Sequence, residues 1–125
     1  MMEGERKFDL VGRTIEYAVG ICRLYENMRK RGQNVHIADQ MMRSGTAVAA
    51  NYAEATAAES SDDFVHKMRI CLKELNEALT WLRIIAAMGY ADAGSCSALG
   101  EETKQLIRIF SASIHTVRHS ANSKH

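Results

Sequence analysis

A chain of 125 residues, 46% hydrophobic and 25% charged, has the size and make-up of one globular domain, not of a disordered segment or a multidomain protein. Its 16 basic and 15 acidic residues leave a net charge of +1, so no whole-molecule field pulls it towards nucleic acid or anionic lipid. Proline is absent, and Val, Ile and Thr form no alternating runs, so nothing breaks helices and nothing builds a sheet.

The first predicted helix spans 9–31, with Asp9 as its N-cap and Gly32 as its stop. Its apolar positions cover well over half the circumference and leave a narrow polar strip of Arg13, Glu16, Arg23 and Asn27. One neighbour cannot bury so wide a face. Leu10, Tyr17, Ile21, Leu24 and Met28 are therefore candidates for contact with other copies as well as for the core.

The second helix spans 36–59 and is built almost wholly from small residues, so it is expected to lie close against neighbouring backbones. Gln40, Arg43, Ser44, Asn51 and Glu54 share one arc of its wheel. Two readings of that arc stand side by side: a solvent face, or a polar network reaching Glu74 and Glu77 of the third helix.

The third helix spans 62–88, opening at Ser60-Ser61-Asp62-Asp63 and closing before Gly89. Phe64, Met68, Cys71, Leu75, Ala78, Leu82 and Ile85 repeat at three-four spacing, the pattern of a bundle seam. Ile70, Trp81, Ile84 and Met88 form a second apolar patch, read as a partner surface. A loop over 90–94 precedes the fourth helix, 97–119, whose apolar face is Leu99, Leu106, Ile107, Phe110, Ile114 and Val117. Short connections between long helices predict one all-α domain over 1–125, an antiparallel up-down-up-down four-helix bundle.

Little chemistry is legible. Cys22, Cys71 and Cys96 have no metal-ligand spacing, and Cys22 and Cys71, on apolar helical faces, read as small buried hydrophobes. Glu54, Glu74 and Glu77 lack the Glu-x-x-His pairs of carboxylate metal bundles. The pair His115 and His119 lies opposite the apolar face and reads as solvated surface. No nucleophile elbow or phosphate-cradling loop is present, so no enzyme activity, cofactor or small-molecule substrate is expected. The basic residues Arg29, Lys30, Arg31, Arg118 and Lys124 are the nucleic-acid candidates, and copies on an oligomer would add their phosphate contacts. With no signal peptide and no run of about 20 apolar residues, the expected location is the cytoplasm, off the membrane.

A family resemblance rests on several of these segments. Gln40-Met41-Met42-Arg43-Ser44-Gly45-Thr46, then Ala50-Asn51-Tyr52-Ala53-Glu54-Ala55, then Asp63-Phe64, Lys67-Met68, Leu72-Lys73-Glu74, Asn76-Glu77 and Trp81-Leu82 occur in order. In that order and spacing the chain resembles the bacterial 23S rRNA-intervening-sequence proteins over nearly its whole length. Tyr52 stands where that family usually carries an aliphatic residue. The resemblance implies a bundle that assembles into a homopentameric ring, without enzyme activity or cofactor and with no assigned molecular role. A related bundle works with the reverse transcriptase of diversity-generating retroelements and binds RNA, which implies RNA as the alternative partner. The expectation is thus a self-assembling scaffold, and failing that an RNA-binding accessory protein.

Overall fold

The computed structural model describes residues 9–123, with side chains through Ser120. Four helices occupy almost all of that span: α1 (Leu10–Lys30), α2 (Val35–Thr56), α3 (Ser61–Met88) and α4 (Ala93–Ser123). Their ends follow from local chemistry. Asp9 Oδ1 accepts from Gly12 N at 2.9 Å, Asn34 Oδ1 from Ile37 N at 3.1 Å, and Ser60 Oγ from Asp63 N at 3.0 Å. Each side chain thereby satisfies an otherwise orphaned amide of a first turn. Gly89 closes α3 in the left-handed region, at φ 68°, where a β-carbon would be strained.

Three boundaries differ from the sequence expectation by three residues or more, one being the end of the fourth helix, at Ser123 instead of 119. The second helix ends at Thr56 instead of 59, because Ser60 caps the next helix and the chain must leave α2 before it. The fourth begins at Ala93 instead of 97, so the last two residues of the expected 90–94 loop are helix. Asp92 explains this: its Oδ2 accepts from Ser95 N at 2.9 Å and from Ser95 Oγ at 3.1 Å, and its carbonyl accepts from Cys96 N. Asp92 is the cap, five residues upstream of the expected start at Ser97.

Side-chain pairs fix the topology. Arg43 of α2 meets Glu74 and Glu77 of α3, while Glu54, further along α2, meets Lys67, earlier in α3. Ascending one helix descends the other. The same reversal relates α1 to α2 through Tyr25 and Asp39, and α3 to α4 through Asp62 and Arg118. The chain is an antiparallel up-down-up-down bundle in which consecutive helices pack along their length and α1 meets α4 along a thinner seam.

All four helices supply the core. Ile21 and Met28, Met41 and Val48, Met68 and Leu75, Leu106 and Phe110 are each fully enclosed. Tyr52 packs its ring against Phe110, centroids 5.4 Å apart and tilted by 59°. That edge-on pairing accounts for an aromatic where the family pattern usually has an aliphatic side chain.

Candidate interaction surface

α1 is the helix whose faces decide what this bundle offers to others. Tyr17, Ile21, Leu24 and Met28 are buried in the chain's own core, and Leu10 is half-buried against it. As candidates for contact between copies they are corrected: the bundle itself consumes them. Of the polar strip, Glu16, Arg23 and Asn27 are exposed, and only Arg13 is drawn against a neighbour. Arg13 grips Glu102 of α4 through Nε–Oε2 at 2.7 Å and Nη2–Oε1 at 2.9 Å, and also donates to Gln105 at 2.8 Å. Beside it the Tyr17 hydroxyl lies 2.7 Å from Thr103 Oγ1 in the interior. Thr103 spends its own proton on the Leu99 carbonyl at 2.6 Å, so Tyr17 is the donor of the pair.

What α1 turns outward is apolar. Val11, Ile15 and Val19 are 45%, 52% and 41% exposed, with Ala18 and Cys22 half-buried beside them. These positions recur every three to four residues and form one stripe on the side away from the core. The sequence already carries that spacing, but without knowing where α4 docks, at Arg13 and Tyr17, the stripe reads as part of the core face.

The second patch is only partly open. Ile70, Trp81 and Ile84 are half-buried, and Met88 is 58% exposed. Trp81 packs against the core on one side, and its enclosed Nε1 has no acceptor among the described residues.

The polar arc of α2 lies along its edge with α3. Ser44 is buried and turns its hydroxyl to the Gln40 carbonyl at 3.0 Å; Asn51 donates to the Ala47 carbonyl at 2.9 Å. Gln40 is half-buried on the same arc. Arg43, with its side chain 51% exposed, bridges Glu74 and Glu77, and Glu54 takes Lys67 at 2.8 Å. The arc is thus a set of local backbone caps and rim ion pairs. The three carboxylates each face a cation, which uses the charge that a metal would need. Among the described residues no group of three or more His, Cys, Asp or Glu side chains could hold a metal ion.

The thin α1–α4 seam leaves a cleft at each end of the Arg13 clasp. One, about 460 Å³, is lined by Gly20, Arg23, Leu24, Asn27, Asp92 and Leu99 among others; the second, about 380 Å³, by Leu10, Tyr52, Ile109 and Val117 with Ser113 and Thr116. Hydrogen bonds from Ser95 hold the Asp92 carboxyl below its ordinary range, consistent with a carboxylate occupied by capping. Burial pushes the Cys71 thiol up to about 12 and raises Cys96, so neither is an activated nucleophile.

The basic candidates separate. Arg29, Lys30 and Arg31 are exposed at the end of α1, where Arg29 is drawn to the Tyr25 hydroxyl at 3.1 Å. Arg118 lies near the far end of the bundle, 3.9 Å from Asp62. A helix of this length holds the two groups about 30 Å apart, so one chain does not merge them into a patch. Lys124 lies outside the described residues.

The profile of the 23S rRNA-intervening sequence protein family matches residues 6–112. The chain belongs to that family. In three dimensions this family member is similar to the 1.70 Å crystal structure of a protein of unknown function from the S23 ribosomal protein family of Bacteroides thetaiotaomicron. The TM-score is 0.80 at 29% sequence identity, over 83% of this chain and 96% of that one. A comparison with curated proteins returns no match. No helix among the described residues of this 23S rRNA-intervening sequence protein is long and apolar enough to cross a membrane.

Proposed function

We propose that this protein is a non-enzymatic scaffold that works by assembling with copies of itself through the outer face of α1. The observation that carries the reading is the Val11, Ile15 and Val19 stripe, three large aliphatic side chains left in water on the flank of a bundle whose core is already complete. A helix face of this spacing suits another helix. The ring of five that the family resemblance implies is the preferred copy number, and a cytoplasmic location goes with it. Mass measurement in solution tests the reading: the wild type should run near five times the 13.9 kDa chain, and Ile15→Glu should run smaller with unchanged helicity. A wild type that stays monomeric at micromolar concentration overturns it.

RNA binding is the second reading, favoured by three consecutive exposed cations, Arg29, Lys30 and Arg31, at one end of the bundle. Repeated around an assembly, that end would present a basic annulus whose phosphate contacts add. Titration with ribosomal RNA fragments should give an affinity that falls as salt rises. Binding that is absent, or indifferent to salt, removes this reading.

A further inference from the structure

The exposed side of α4 carries a chemical grouping that neither the core nor the α1 stripe uses. His115 and His119 are both exposed and stand one turn apart on the same face of the helix. Their rings lie nearly parallel, 19° between planes, with centroids 5.8 Å apart. We propose that His115 and His119 form a two-imidazole chelate for a late first-row divalent ion such as Ni²⁺, Zn²⁺ or Cu²⁺.

Several features favour it. Imidazole nitrogen is the ligand this group of metals prefers, and two histidines at i, i+4 are the helical arrangement that lets both reach one ion. A metal–nitrogen distance of about 2.0–2.1 Å requires the two donor atoms to converge in the gap between the rings. Because both side chains are exposed, changing χ1 together with the broad χ2 torsion can bring the donors together without moving the backbone. The nearest basic side chain in sequence, Arg118, is directed towards Asp62 of α3, which keeps its charge to one side. His119 also sits one turn from the end of a 31-residue helix, near where the carbonyl end of the helix dipole favours a cation. With two protein ligands the remaining coordination positions belong to water, so the site is open and exchangeable, unlike a four-ligand structural zinc centre. Oxygen-preferring Mg²⁺ gains nothing from it. Because only the helical form holds the rings one turn apart, a bound ion would also fasten the end of α4.

Calorimetric titration of the full chain with NiCl₂, and separately with ZnCl₂, in a non-coordinating buffer tests the proposal. One ion per chain should bind about tenfold or more tightly than to either His115→Asn or His119→Asn, because the second ligand acts at high effective concentration. MgCl₂ should give no signal. The respaced variant His119→Asn with Thr116→His keeps the number of histidines but turns the two rings apart, and it should bind no better than a single-histidine variant. Circular dichroism of each variant confirms that helicity is kept, as exposed positions predict. Equal affinity in the wild type and the single variants, retention of tight binding after respacing, or no uptake by the wild type at millimolar metal would each overturn the chelate.

Discussion

Gly45 lies so close to Ile21 that a β-carbon built on it would sit 2.7 Å from Ile21 Cγ1, 2.9 Å from Cγ2 and 3.0 Å from Cδ1. Both residues are buried, and Ile21 has no free direction in which to retreat. The small residues of α2 thus have a specific task here: they let α1 approach the α2 backbone.

Gly45→Ala should therefore destabilise the bundle despite the better helix propensity of alanine. Overpacking costs about 1–3 kcal/mol, against a propensity gain of up to about 1 kcal/mol. In an Ile21→Ala background all three clashing carbons are gone, and the same Gly45→Ala change should become neutral or stabilising. A double-mutant cycle read by denaturant unfolding checks the reversal of sign.

Tyr17→Phe removes the hydroxyl that donates to Thr103 across the α1–α4 seam. Thr103 keeps its bond to the Leu99 carbonyl and loses only an incoming donor, so the expected cost is about 0.5–1.5 kcal/mol. Since α1 and α4 meet along the thinnest seam, local opening there should increase first. Amide hydrogen exchange of α1 should report it more strongly than that of α3.

Alkaline pH should unfold the protein through two buried acids. Burial pushes Tyr17 up to about 12 from 10.0 and Cys71 up to about 12 from 9.0. Both are neutral when protonated, and both have folded pKa values above their unfolded ones. The unfolded chain therefore releases these protons first. Their contribution is intact below pH 9 and falls as pH rises to about 12, Cys71 acting from 9 and Tyr17 from 10. Unfolding midpoints measured between these limits should drop, and Tyr17→Phe should flatten the upper part of the curve.

Arg43→Ala tests how much the α2–α3 edge depends on charge. Its side chain is half exposed, whereas Glu74 is only 16% exposed and would be left unpaired. The expected loss is at most about 1 kcal/mol. It should shrink as salt is raised to about 1 M, where screening acts within about 3 Å. A larger, salt-independent loss would point to a packing role for the aliphatic stem.

A charge at Trp81 is a poor probe of assembly, because that indole is half-buried against the core and its replacement should lower stability as well. Ile15, 52% exposed, separates folding from association.

Much of the architecture was legible before any coordinates. Asp9, Ser60, Gly32 and Gly89 marked helix ends through local hydrogen bonding and backbone freedom, which depend on a few neighbours in sequence. The seam of Phe64, Met68, Cys71, Leu75, Ala78, Leu82 and Ile85 was set by the helical period alone; the last six are buried and Phe64 is half-buried against the core. Tertiary structure decided which neighbour each face meets. A helical wheel gives directions about one axis, and says nothing of where the other three axes lie. Only the docking of α4 drew Arg13 and Tyr17 into the α1–α4 seam, while Glu16, Arg23 and Asn27 stay exposed and Val11, Ile15 and Val19 face water. The same limit applies to Tyr17, Ile21, Leu24 and Met28: their apolar character was plain from the chain, but their burial in its own core required the other helices to be in place.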